Sequence, residues 1–220
     1  MKNFTFALLL SLAGAASAQT SACADIQQAW ASKYHTDFGV QWPLATFACG
    51  DAVGRFAEAI HALATTSFVP NESGFRPDFY GIVAAATRRT IYQATHPHYS
   101  YAAASASAGS LWLHDAYFQG TLEWRTATLV HETRHNQAGD PLHVICDRGD
   151  ARGNMSCDAT FHGGEMLGSG YNYDVHFYWW LRDSAQQTTL SRSVSGASIR
   201  HLVLNRFNTI SNEHIQKFAP

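Results

Sequence analysis

An α+β fold, mostly helical with a small sheet, is predicted by three features of this chain. Apolar residues recur at three- and four-residue spacing over 22–35 and again over 51–66, as packed helices require. A run of good helix formers from Leu122 to Asn136 lies between a Gln119-Gly120-Thr121 turn and the stop signal Gly139-Asp140-Pro141. Ser110 to His114 alternates in the manner of a short strand.

Taken in order, Asp51 is placed to cap the second helix, where a carboxylate can accept from the free first-turn amides. Pro70 to Pro77 reads as a loop from its Pro, Gly and Asn content, and a third helix is expected from Asp78 to about Tyr92. His96-Pro97-His98 interrupts, and Tyr99 to Ser107 is a small-residue stretch without clear period. Beyond the 122–136 helix, residues 144–164 are rich in Gly, Asp and Cys and read as a disulfide-pinned loop. Helical runs at about 168–183 and 197–208 close what should be one domain, 19–220, without internal repeats.

Of the 220 residues, 46% are hydrophobic and 15% charged, enough apolar material for a core and too little charge for a disordered chain. The 15 Lys and Arg are scattered and the net charge is −2, which argues against nucleic acid as a partner. Residues 1–18 combine Lys2, an apolar run from Phe4 to Ala16 and an Ala16-Ser17-Ala18 cleavage signal. This is the pattern of a secretory signal peptide cut after Ala18, and it places the protein in the periplasm or outside the cell. The run falls short of the roughly 20 apolar residues that span a bilayer, and no later segment reaches that length. Four cysteines in an exported chain imply disulfides. Of three pairings, Cys23–Cys49 and Cys146–Cys157 are favoured because each pair shares a short segment, worth about 3 kcal/mol apiece. A four-thiolate zinc site would need CxxC knuckles, which the sequence lacks.

The chemistry is concentrated in Leu129-Val130-His131-Glu132-Thr133-Arg134-His135, an HExxH pattern inside the long predicted helix. With 12 His and 6 Glu in the chain, about 0.02 such matches arise by chance. On a helix, positions i and i+4 share a face, so His131 and His135 can converge on one Zn²⁺ ion. Glu132 is turned about 100° from His131 and sits beside the metal instead of on it. There it can take a proton from water acidified by the ion and return it to a leaving amine.

These residues resemble the zincins, the HExxH zinc metallopeptidases. The wording LVHExRH, followed by a His, a Cys and a Cys-Asp pair, is also similar to a group of small exported bacterial proteins. The likeness covers about 109–180 and implies a zincin-like fold, with Ser110 to His114 as the edge strand that aligns substrate before the active-site helix.

The third ligand departs from both patterns of that family. Metzincins continue as HExxHxxGxxH, whereas here the glycine, Gly139, is one place late and the histidine, His143, two places late. Gluzincins use a glutamate from a later helix, and Glu165 is the one Glu between His135 and Glu213. His143 is favoured because Gly139-Asp140-Pro141 can turn the chain back under the helix end and Cys146 can fix that turn; Glu165, Asp158, Asp174, His162 and His176 stay open. Asp158 also suits a hydrogen bond to a ligating imidazole. Tyr171 and Tyr173 are candidates for oxyanion stabilisation, although packing is the simpler use of each. Arg134 suits a surface ion pair or substrate contact equally, His96 and His98 read as loop histidines, and Tyr178-Trp179-Trp180 as a buried helix face.

The sequence therefore points to a secreted zinc-dependent metallopeptidase acting on a peptide or protein. His131, His135 and His143 would hold Zn²⁺, with Glu132 as the catalytic base. Two other readings stand beside it: a zinc amidase acting on cell-wall peptide, and a non-catalytic exported binding module. Nothing in the sequence specifies an oligomeric state.

Overall fold

The computed structural model describes residues 23–41, 47–71, 73–94, 104–147, 156–163 and 168–219. Residues 1–18, expected from sequence to be a signal peptide, and His96, His98 and Glu165 lie outside the described residues. Both N-terminal periodicities fold as helices. Residues 23–29 (α1) run through a π-helical turn, Trp30–Tyr34, into His35–Asp37 (α2), and Ala52–Thr65 forms α3. Asp51 caps α3 through Oδ1, which accepts from Gly54 N at 2.8 Å, while Oδ2 accepts from Ala48 N at 2.9 Å. The Cys23–Cys49 disulfide ties α1 to the turn that Asp51 closes.

The third helix is shorter than the sequence suggests. α4 spans Phe79–Ala86, and Arg89–Tyr92 is a strand, β1. Thr90, Ile91 and Tyr92 are β-formers, and a parallel partner, β3 (Ser110–Leu113), satisfies their backbone. β2 (Ala104–Ser107) folds back onto β3 through Ala108 and Gly109, both at positive φ, as a two-residue hairpin turn needs. The sheet order is β1-β3-β2, so β3 is a central strand. This corrects the expected edge strand at 110–114: Ala104-Ser-Ala-Ser107 alternates only between small residues of weak β preference, and so gave no sign that it would cover that edge.

α5 (Asp115–Gln119) leads into α6 (Leu122–His135), which carries the HExxH pattern. The region 144–164 is pinned by the Cys146–Cys157 disulfide as expected, but contains strands β4 (Val144–Ile145) and β5 (Ser156–Thr160). With β6 (Phe207–Thr209) they form a second three-stranded sheet, in the order β4-β5-β6. α7 is Gly170–Arg182, and α8 spans Thr189–Asn205, beginning well before residue 197. A Thr188–Ser191 capping box starts α8, and its first apolar residues, Leu190 and Val194, face solvent, which hides the helix from a periodicity search. α9 (Asn212–Phe218) packs on α8.

The core gathers where α3, α4, α6 and α7 meet, around the fully buried Phe56, Ile60, Phe79, Val83, Leu129 and Phe177. α7 lies between α6 and α8 and is buried almost all round. Of the Tyr178-Trp179-Trp180 run, Tyr178 is buried; Trp179 rests on Phe218 and Trp180 on Phe75, each partly exposed. Among the described residues no helix is long and apolar enough to cross a membrane. Because Asp51 closes both the pre-helix turn and the first turn of α3, Asp51→Ala should cost about 1 to 2 kcal/mol, read as a lower midpoint in denaturant unfolding.

Candidate metal centre

α6 is built to hold its C-terminal turn still. Thr121 caps its start, accepting from Trp124 N, and the Arg134 cation in the last turn sits favourably at the negative end of the helix dipole. Thr126, Leu129, Val130 and Thr133 anchor one face in the core. The Asn136 side chain then accepts from Gly109 N (3.0 Å) and donates to Ser110 O (3.2 Å), pinning the helix end to β3. Arg134 is buried, and its ion pair is internal, to Asp140 Oδ1 at 4.0 Å, not on the surface. Its guanidinium donates to Gly168 O (2.6 Å) and Gly139 O (3.0 Å), joining the turn after α6 to the entrance of α7.

Against this frame three imidazoles converge. His143 Nε2 lies 3.0 Å from His131 Nε2 and 3.2 Å from His135 Nε2. Among the described residues this is the one group of three or more His, Cys, Asp or Glu with ligand atoms all within 4.8 Å of one another. The far nitrogen of each ring is bonded to its own aspartate: His131 Nδ1 to Asp174 (2.8 Å), His135 Nδ1 to Asp140 (2.7 Å) and His143 Nδ1 to Asp158 (2.9 Å). Asp158 is itself fixed, because its second oxygen accepts from Asn172 N (2.9 Å) and Asn172 Nδ2 (2.8 Å) at the start of α7. Gly170 is obligatory there: a Cβ at that position would lie 2.5 Å from His131 Nε2.

Several residues weighed from sequence take other places. Asp158 and Asp174 orient imidazoles from behind. His176 Nε2 donates to His162 O (2.9 Å), and the ring packs on Phe161, away from the three histidines. The Tyr173 hydroxyl donates to Gln137 Oε1 at 2.9 Å. Tyr171 does stand at the centre, with ring centroids 4.6 Å from His143 and 4.8 Å from His131, and the Arg206 guanidinium is 5.0 Å from its ring. Asp140 and Gly170 were not singled out from sequence. The visible cue for Asp140 was its place in the same Gly-Asp-Pro turn that returns His143 to the helix.

Burial and neighbours set the charges. For His131, burial opposes protonation, but the Asp174 charge and hydrogen bond outweigh it and raise the pKa to about 9. Burial lowers His135 to about 4, helped by the His131 charge. Glu132 is pushed up to about 7 by burial, against the pull of His131, and accepts no hydrogen bond from any described residue. Burial also raises Asp174, partly offset by His131. His143 is the most open of the three rings, with 20% of its side chain exposed against 12% and 13%.

The donor set fits a transition-metal ion. A carboxylate at each Nδ1 favours the tautomer with hydrogen there, leaving three Nε2 lone pairs facing one point. A proton can bridge one pair of nitrogens but leaves the third lone pair opposed. Nitrogens placed tetrahedrally about 2.0 to 2.1 Å from an ion lie about 3.3 Å apart, close to the separations here. Imidazole donors suit zinc, copper, iron and nickel over calcium or magnesium. Comparison with family models, with curated proteins and with solved structures finds no match for this chain.

Stability against pH follows from the same shifts once metal is stripped by a chelator. His131 keeps its proton in the folded state to about pH 9, whereas the unfolded chain releases it near 6.5. That contribution is complete below pH 6.5 and is lost as pH rises toward 9. Glu132 acts in the same sense between about 4.5 and 7, and His135 in the opposite sense between about 4 and 6.5. The melting temperature in chelator should therefore fall from pH 6.5 to 9, and Asp174→Asn should flatten that fall; a rise across the window would contradict the assignment.

Proposed function

We propose that this protein is an exported zinc-dependent metallopeptidase of the zincin type, with His131, His135 and His143 as metal ligands and Glu132 as general base. The observation that carries the proposal is three carboxylate-backed imidazoles aimed at one point, with a carboxylate one residue along the same helix that accepts no hydrogen bond from the described residues. Zinc supplies Lewis acidity when bound, polarising a carbonyl and making water acidic enough to attack near neutral pH.

The remaining work belongs to the chain. Asp140, Asp158 and Asp174 hold the rings in one tautomer and orientation, so no reorganisation is needed at each turnover. Glu132 has no competing hydrogen-bond donor among the described residues, and burial brings its proton affinity near that suited to neutral pH. It takes the proton of the attacking water and hands it to the departing amine nitrogen. Substrate approaches from the more open His143 side, where Tyr171 forms a wall. Exposed Leu142, Val144 and Ile145 flank His143 and give that approach an apolar rim, which suits peptide side chains better than a highly charged substrate.

Glu132→Gln should keep one zinc per chain and lower hydrolysis of a quenched peptide library by about 10² to 10⁴-fold. His143→Ala should lose zinc as well as activity. Stoichiometric zinc with undiminished hydrolysis in Glu132→Gln would remove the proposed base.

A further inference from the structure

The three histidines do not owe their positions to the same forces. His131 and His135 are fixed by α6, which is capped at one end and pinned to β3 at the other. His143 stands beyond the helix, after a turn that holds Gly139 and Leu142 at positive φ, the latter a conformation that non-glycine residues adopt only with support. On its far side the chain enters β4, an edge strand of two residues whose ladder with β5 comprises Val144↔Cys157 and Ile145↔Ser156. So short a ladder is marginal by itself.

What reinforces it is covalent. Cys146, three residues after His143, is bonded to Cys157, the neighbour of Asp158, and Asp158 is the carboxylate that holds the His143 ring at 2.9 Å. The bond thus joins the segment that carries the third imidazole to the segment that carries its anchor. Asp158 is independently secured from the other side by Asn172 and by its own amide, which donates to Arg206 O at 2.9 Å. The His143 arm is tied on its far side by one side chain besides the disulfide: Asn208 accepts from Asp147 N (2.9 Å) and donates to Ile145 O (2.9 Å), and both bonds lie on the exposed surface.

We infer that the Cys146–Cys157 disulfide is the covalent positioning element for His143, so that the oxidised chain holds three imidazoles to one metal and the reduced chain holds the third only through Asp158, Asn208 and a two-residue ladder. The inference rests on the metal-site reading above and adds a redox condition to it: tight zinc retention follows disulfide formation. In forming, the bond takes two electrons and two protons from the thiols and passes them to a disulfide-type oxidant, which leaves as a dithiol. A chain still reduced would be a poor metal binder, and export to an oxidising compartment would complete the site. The Cys23–Cys49 disulfide lies on α1 and the α3 cap and has no part in this.

Zinc affinity, measured by competition with a chromogenic chelator, tests the inference on the folded chain. Cys146→Ser/Cys157→Ser should bind zinc about 10 to 100-fold more weakly than wild type. Adding His143→Ala to that pair should cost little beyond His143→Ala alone, since both act through one ligand. A folded double variant within about threefold of wild type would overturn the inference, as would full additivity with His143→Ala. Reciprocity supplies a test without variants: saturating zinc should shift the thiol–disulfide equilibrium of Cys146–Cys157 in a glutathione buffer toward the disulfide by about tenfold or more, read by differential alkylation mass spectrometry, and leave Cys23–Cys49 unchanged. An unchanged thiol–disulfide equilibrium with and without zinc at Cys146–Cys157 would overturn the inference while leaving the three-histidine site standing. Wild type that takes up no zinc would instead remove the metal site, and the redox condition with it.

Discussion

Three nitrogen lone pairs gathered within 4.8 Å of one another, two of the pairs at hydrogen-bonding distance, repel unless positive charge lies between them, and much of this structure is arranged around that conflict. Three aspartates sharpen it. By accepting from each Nδ1 they fix all three rings with the lone pair inward, and they add negative charge to the shell behind. Burial sharpens it further, because little water reaches the rings to screen them. The divergence of His131 and His135, one pushed toward protonation and the other away from it, shows one proton doing incompletely what a divalent cation would do for all three.

Holding such an arrangement requires segments that are distant in sequence. α6 gives two imidazoles, the turn behind it gives Asp140 and His143, β5 gives Asp158 and α7 gives Asp174. The polar links between these segments form one connected set: Arg134 from α6 to Gly168 and Gly139, Asn136 from α6 to β3, and Asn172 from α7 to Asp158, Thr160 and His162. The close approach at Gly170 belongs to the same design, for the start of α7 can lie against the His131 ring only where no side chain intervenes. Burying Arg134, costly for a lone cation, is offset by carbonyl acceptors at the two chain turns that the site must hold in register.

How much of this was legible follows from how local each feature is. The HExxH helix was readable to within a residue because cap, periodicity and stop signal all lie inside one segment. Both disulfides were readable from proximity along the chain, and His143 was singled out because a Gly-Asp-Pro turn constrains where the next few residues can go. The first sheet was not, since β2 is an Ala-Ser repeat whose role depends on β3 being beside it, and β1 looked like a continuation of α4 until a parallel partner outweighed the local helical preference. The partner of each imidazole was equally hidden. Asp174 and Asp158 could be weighed as ligands or as supports from sequence, but which oxygen faces which nitrogen is a property of helix packing, and no spacing rule encodes it.

The contrast between the acidic residues carries the functional argument furthest. Asp140, Asp158 and Asp174 each accept from an imidazole, so desolvating them is compensated in part by a hydrogen bond. Glu132 lies within the same electrostatic neighbourhood and receives no such compensation from the described residues, which is why burial moves it so far up. A protein under selection for stability alone gains by replacing such a carboxylate with an apolar or amide side chain of similar size. Keeping an uncompensated acid beside three opposed lone pairs makes physical sense where the acid's proton is exchanged in use. Structural support for the rings falls to Asp140, Asp158 and Asp174, and the proposed proton transfer to Glu132, which no described residue holds by a hydrogen bond.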